Sequence, residues 1–458
     1  MPHRTAVILI VGLTESLIGD DTPKLRAFRK SARCAHLDPP TPAVTCTSQA
    51  SMLTGLEPSD HGIIGNGWYD RESAEIRFWR QSNRLVRGER VWETARHRDP
   101  SVTCAKLFWW FNMHSSADVS ITPRPIYKAD GRKTPDVYAE PPDLREELQT
   151  KLGRFPLFNF WGPAASIESS RWIARSAEHC RDRFDPTLSL VYLPHLDYAL
   201  QKYGPGTPEA SAALRAIDEV AGSLIERLEA GDTRVIVVSE YGLESATGPV
   251  HINRVLREAG LLRVRDEDGA DLLDPGGSRA FAVADHQVAH VYVRDVDDLA
   301  RTRQVCESLD GVDLVLDQAA QREAKLWCDR SAELLLVAQT GRWFTYYPWL
   351  DDARAPDFAR TVEIHRKPGY DPCELFVDPA LGNPKLAVGR RLLMKKLGFR
   401  ALMDVIPLDA TLVRGTHGRP VVGADGPLLI ARGGITDGET VPMTAVRDVI
   451  LSRLFSAR

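Results

Sequence analysis

Pro42-Ala43-Val44-Thr45-Cys46-Thr47-Ser48-Gln49-Ala50-Ser51-Met52-Leu53-Thr54-Gly55, continued by Pro58-Ser59-Asp60-His61-Gly62-Ile63-Ile64-Gly65-Asn66, is the stretch whose reading decides the fold. It sets a threonine just before a helical segment and an asparagine in a glycine-flanked turn. A threonine there has two uses. Its hydroxyl caps free N–H groups of the helix, or it meets a phosphoryl group beside the positive end of the helix dipole. A hydroxyl is a poor nucleophile at neutral pH, so the second use needs a metal or a base nearby. Asn66 has its own plain alternative as a turn residue beside glycine.

Outward from that stretch, three apolar runs read as buried parallel strands: residues 5–11, 188–193 and 234–238. Ligands of an open parallel sheet gather at the carboxyl ends of its strands. Those ends carry Gly12-Leu13-Thr14, Pro194-His195-Leu196-Asp197 and Ser239-Glu240-Tyr241-Gly242. Residues 208–229 place Leu214, Ile217, Val220, Leu224, Ile225 and Leu228 at helical spacing and predict a crossover helix. The fold class is therefore α/β, with a mostly parallel central sheet and helices on both faces. Residues 1–263 are expected to form the core, 264–404 an inserted smaller α+β cap, and 405–458 a return to the core. The aromatic run 108–114 lines a cavity or packs under a loop.

The chain has 458 residues and a formal net charge of −4, so no polyanion-binding footprint shows and no nucleic-acid polymer is expected as partner. The first apolar run is too short for a membrane span and reads as a strand. Seven scattered cysteines without a CxxC pair fit reduced thiols and a cytoplasmic location. A homo-oligomer is compatible with the sequence.

The run around Thr45 resembles the nucleophile segment of the nucleotide pyrophosphatase/phosphodiesterase branch of the alkaline phosphatase superfamily. The resemblance implies an alkaline-phosphatase-like fold with Thr45 as nucleophile and Asn66 on a phosphate oxygen. It also implies two divalent metal ions flanking the nucleophile, zinc ahead of manganese. Carried over position by position, it implies Asp197, Glu240 and His417 as metal ligands. His417 lies in Gly415-Thr416-His417-Gly418, and Glu240 stands where the family has aspartate. Three positions depart from the pattern. Val11 replaces an aspartate, and Gln201 and Tyr241 each replace a histidine. Neither metal site then keeps the usual three protein ligands, so one ion, two ions or none are all open. Asp285, His286, His365, Arg366 and Lys367 are candidate substitutes or substrate contacts, the last two as fixed charges in place of a metal.

The chain is also similar to a bacterial subgroup of this branch with related VGLT, DYxLQ and SEYG variants, which implies a role in secondary metabolism. The first function expected is a metal-dependent phosphodiesterase or nucleotide pyrophosphatase-like hydrolase of a small phosphorylated, nucleotide-linked or prenyl-linked metabolite. Two rivals stay open: a non-catalytic phosphate-ligand-binding pseudoenzyme, and a transferase or lyase with a rebuilt site around Asp285, His286 and His365.

Overall fold

The computed structural model describes residues 2–129, 132–399 and 401–456. Its nine-stranded sheet is centred on β1 (Thr5–Ile10), which pairs in parallel with β2 (Leu188–Leu193) on one side and β3 (Arg234–Val238) on the other. Beyond β2 lie Cys104–Leu107 and Val119–Pro123, both parallel, and then antiparallel Val137–Glu140. Beyond β3 lie antiparallel Leu428–Ala431, then Arg33–Asp38 and Thr440–Pro442. The fold is thus mixed α/β around a large, mostly parallel sheet. All six residues of β1 are buried, as a parallel strand covered on both faces requires.

Four helices matter here. α1 (Thr45–Thr54) follows the decisive stretch and is buried along its whole length. α2 (His195–Tyr203) starts directly after β2. α3 (Pro208–Ala230) is the expected crossover, with Leu214, Ile217, Leu224, Ile225 and Leu228 all buried. α4 (Pro384–Lys396) lies far from the central sheet in sequence and has no buried residue.

A second sheet is antiparallel and runs Ala280–Asp285, Val288–Val293, Leu334–Ala338, Val312–Asp317. Its apolar cluster includes Phe281, Tyr292, Leu334 and Trp343, and also takes in Phe78, Ile252 and Leu256. A turn at His286 and Gln287 joins the first two strands, with His286 at φ +58°. That turn carries two of the expected substitutes toward the ends of the parallel strands.

Candidate active site

Thr45 is the first helical residue of α1, and Val44, in extended conformation, occupies the capping position. The capping role open to a threonine here therefore falls to its neighbour, and Val44 has no side-chain oxygen to perform it. α1 buries polar side chains that need partners. The Gln49 amide donates to Glu240 Oε1 at 2.5 Å and accepts from the Trp110 N–H at 2.7 Å. The Ser48 hydroxyl donates to the Glu240 carbonyl, and Ser51 pairs with His61. These bonds fix the helix against the end of β3, so Thr45 is placed by the floor of the site.

The Thr45 hydroxyl lies 3.3 Å from the Tyr241 hydroxyl, which donates to Asp197 Oδ1 at 3.4 Å. Asp197 and Gln201 sit one turn apart on α2, and the Gln201 amide donates to Asp197 Oδ2 at 2.8 Å. The Gln201 oxygen accepts from the Tyr370 hydroxyl at 2.8 Å. A column of rings stands over this chain. Tyr370 stacks on His286 at 3.6 Å between centroids, His286 meets His417 at 3.8 Å, and His417 stacks on Tyr241 at 3.5 Å.

Asn66 is reached from two sides. Its side-chain oxygen accepts from the Cys46 N–H of α1, and its amide donates to Asp285 Oδ1 at 3.0 Å. Its backbone N–H donates to Asp285 Oδ2, while the His286 Nδ1 donates to Asp285 Oδ1 at 2.9 Å. The structure therefore brings Thr45, Asn66, Asp197, Gln201, Glu240, Tyr241, Asp285, His286 and His417 into one connected cluster. His365 lies on the cavity wall near Tyr127 instead.

Arg366 and Lys367 both line the cavity, and each is paired with nearby acids. The Lys367 ammonium is buried between Asp371 and Glu374, at 2.8 and 2.7 Å. The Arg366 side chain is 56% exposed, paired with Asp357 and laid over the Phe358 ring. The adjacent acids claim both cations, and a count of charge types cannot reveal that.

Burial sets the electrostatics. It pushes Asp197 up to about 7, against the hydrogen bonds from Gln201 and Tyr241 that favour the carboxylate. It pushes Glu240 up to about 8, opposed by Gln49 and the nearby Thr45 hydroxyl. Burial holds the His417 imidazole well below its ordinary value, with repulsion from His286 adding to it. His417 is thus neutral; Nδ1 donates to the Ala43 carbonyl at 3.0 Å and its Nε2 lone pair has no hydrogen-bond partner.

The donor set does not fit a pair of metal ions. Among the described residues, no group of three or more His, Cys, Asp or Glu side chains gathers closely enough to hold one. The expected ligands Asp197, Glu240 and His417 form no such group. His417 Nε2 is 3.9 Å from Asp197 Oδ1, and Glu240 is turned to Gln49. Both carboxylate oxygens of Asp197 already accept hydrogen bonds from Gln201 and Tyr241. Val11, where an anionic ligand is expected, is fully buried and apolar. Gly12 after it has φ +77°, and a Cβ there would come within 2.8 Å of Leu243.

Glu240 yields a stability prediction. Its proton is retained in the folded state up to about pH 8, whereas the unfolded chain releases it near the ordinary value of 4.5. The folded state binds the extra proton within that window, so stability falls as pH rises through it. Glu240→Gln removes this loss. The melting advantage of the variant over the parent is expected to grow between pH 5 and pH 9, by about 2–4 kcal/mol. Calorimetry at both pH values checks it; an advantage that shrinks with pH would contradict a buried, protonated Glu240.

The cluster floors a cavity of about 2020 Å³, which Thr45, Asp197, Tyr241 and His286 help to line. Trp79 and Trp110 pack at 4.7 Å on its wall, and Trp161 meets Tyr370 and Tyr198. The aromatic run 108–114 divides: Trp110, Met113 and His114 line the cavity, while Phe108, Trp109 and Phe111 are buried in the packing. Tyr370 was not legible as a site residue. The one signal was Gly369 before it, where a Cβ would meet Tyr346 at 2.5 Å, so only glycine seats the ring there.

The family model for type I phosphodiesterase / nucleotide pyrophosphatase matches residues 5–371. The chain belongs to that family, whose members typically depend on divalent metal ions. It is 24% identical over 246 residues to an uncharacterized pyrophosphatase/phosphodiesterase of Schizosaccharomyces pombe, a match covering 51% of this chain and 42% of that protein. It is 26% identical over 239 residues to ectonucleotide pyrophosphatase/phosphodiesterase family member 1 of Mus musculus, covering 50% of this chain and 22% of the relative. The matches thus span less than half the length of these relatives.

Among solved structures, phosphonoacetate hydrolase from Sinorhizobium meliloti in complex with phosphonoformate superposes with a TM-score of 0.62 at 15% identity, over 99% of this chain and 96% of that one. Murine ectonucleotide pyrophosphatase/phosphodiesterase 5, in an inactive threonine-to-alanine form with AMP, gives 0.58 at 13%, over 100% and 96%. These two share the fold. No helix among the described residues is long and apolar enough to cross a membrane.

Proposed function

We propose that the chain is a phosphoester hydrolase that takes a small phosphorylated molecule into the cavity and attacks it with the Thr45 oxygen. The observation that carries this reading is the chain of hydroxyls from Thr45 through Tyr241 to Asp197. As the Thr45 oxygen bonds to phosphorus, its proton passes to the Tyr241 oxygen and the Tyr241 proton to the Asp197 carboxylate. The bond from phosphorus to the leaving oxygen breaks and that oxygen takes its proton from water, while Asp197 keeps the relayed proton and returns it to the Thr45 oxygen when the phospho-threonine is cleaved. Water then cleaves the phospho-threonine. The N-terminus of α1 favours the negative charge held there. Tyr241 thus stands in the role that a metal has in the family, activating the nucleophile. That the murine neighbour is inactive in a threonine-to-alanine form supports a threonine as nucleophile.

The test is turnover of p-nitrophenyl phosphodiesters and phosphomonoesters by protein whose metal content is measured alongside. Product release that survives chelation, with zinc and manganese well below one equivalent, is the expected result. Turnover that requires a stoichiometric ion would overturn the relay.

A second reading is a phosphate-ligand-binding protein without turnover. Its specific support is Asn66, whose amide is already engaged by Asp285 and the Cys46 N–H rather than held open for a phosphate oxygen. It predicts a calorimetric binding signal with phosphomonoesters and no product by mass spectrometry.

A further inference from the structure

Apolar side chains rarely stay in water in a concentrated patch. Six of the fourteen large apolar side chains that are exposed among the described residues fall within residues 386–402. On α4 and just after it, Leu386 is 71% exposed, Leu393 56%, Leu397 66% and Phe399 62%. Every charged side chain between residues 379 and 403 is a lysine or arginine. Lys385, Arg390 and Lys396 are exposed on the same helix face as Leu386 and Leu393. Among the described residues none of these three cations forms an ion pair, and Arg391 alone on the helix is taken, by Asp404. Leucines interleaved with unpaired cations fit the boundary between lipid headgroups and acyl chains, where the apolar groups sink and the cations meet anionic phosphates.

The other face of the helix ties this patch to the site. Val388, Leu392 and Lys395 line the cavity that Thr45 floors, as do Phe399 and Leu402 beyond the helix. Tyr127 and Phe158 line the same cavity and are 49% and 58% exposed. Aromatic rings of this kind favour the headgroup level of a bilayer. The patch and the cavity thus share one helix and the segment after it: Leu392, Phe399 and Leu402 line the cavity and are among the exposed apolar side chains.

We propose that α4 docks on the surface of an anionic bilayer and sets the cavity mouth against it. The ligand class that follows is a phosphoester carrying an apolar chain, its phosphate at Thr45 and its chain along the wall. That ligand assignment rests on the phosphoester reading above, whereas the docking itself does not.

The test separates the two. Full-length protein is sedimented with vesicles of phosphatidylcholine alone and with vesicles containing about a third phosphatidylglycerol. Binding to the anionic vesicles, weakened by salt, is expected. Attraction to an anionic surface is worth roughly fivefold in partitioning per cation, so Lys385→Gln/Arg390→Gln/Lys396→Gln together should weaken binding about a hundredfold. Leu386→Glu/Leu393→Glu/Leu397→Glu should abolish it, with the circular dichroism and melting temperature of the protein unchanged. None of these six residues lines the cavity, so turnover of a soluble phosphodiester should stay as in the parent. Absence of binding to anionic vesicles at low salt overturns the docking, as does binding that survives the leucine substitutions. A dimer in solution that the same substitutions dissolve, without vesicle binding, would assign the face to a second copy and overturn the proposal. Vesicle binding by a protein that cleaves no phosphoester would leave the docking standing and refute the enzymatic reading alone.

Discussion

Thr45→Ala is expected to lower phosphoester turnover by at least about 10³-fold, the scale seen when the attacking group of a covalent mechanism is removed. The fold should not notice. The hydroxyl lies 3.3 Å from the Tyr241 hydroxyl and near the Glu240 carboxyl, and Val44 rather than Thr45 occupies the helix cap. Loss of a hydrogen bond of this kind costs about 1 kcal/mol or less. The variant should therefore melt close to the parent and still bind a phosphomonoester by calorimetry. Thr45→Ser keeps the oxygen and should retain measurable activity. Tyr241→Phe removes the proton path but leaves the nucleophile and the ring stacked on His417, so its loss should be intermediate, of the order of 10²-fold. Activity of Thr45→Ala within a few-fold of the parent would remove Thr45 from the chemistry. A Tyr241→Phe variant that loses nothing would leave the nucleophile in place and refute the relay.

The parts of this molecule that were legible in the sequence are those that local chemistry dictates. Residues 5–10, 188–193 and 234–238 are strands because unbroken aliphatic runs of that length suit a sheet covered on both faces. α3 follows from apolar spacing alone. The decisive stretch also located Thr45 and Asn66 in one site, since a helix start and a turn some twenty residues apart are both local features. What stayed hidden is pairing across long separations. Nothing near Lys367 in sequence says that its charge is neutralised within the core, because Asp371 and Glu374 read equally well as solvated acids. Tyr370 reaches Gln201 across 169 residues, and the column formed with His286, His417 and Tyr241 draws on four separate segments. The altered positions Gln201 and Tyr241 read as losses when taken singly. In the fold each is hydrogen-bonded within the cluster, Gln201 to Asp197 and Tyr370, and Tyr241 to Asp197.

The second large effect concerns Lys367. Its ammonium is buried beside two buried carboxylates. Burial works against its charge, yet Asp371 and Glu374 hold its proton above the ordinary lysine value. Each acid is tied down further: Asp371 accepts from the Cys373 N–H, and Glu374 from the Glu363 N–H and, at 2.5 Å, from the Trp161 indole. Lys367→Met would leave both carboxylates in the interior without a counter-charge, a loss of about 3–5 kcal/mol. At roughly 2.1 cal/mol/K per residue the unfolding entropy of 458 residues is about 1 kcal/mol/K, so the melting temperature should fall by about 3–5 °C. Acid should narrow that deficit. Without Lys367 the folded-state carboxylates take up protons more readily than the unfolded chain, so the variant gains stability relative to the parent as pH falls below neutrality. Removing the charges as well, in Lys367→Met/Asp371→Asn/Glu374→Gln, should recover most of the loss, since a buried ion cluster contributes little net stability over a neutral one. If Lys367 instead served as a phosphate-binding charge, the single variant would keep its melting temperature and raise KM, and the triple variant would show no recovery of activity. The position of Trp161 makes the two outcomes separable by a second signal. Its indole bonds Glu374 while its ring packs on Tyr370, so a collapse of the ion cluster should shift tryptophan fluorescence even when no ligand is present.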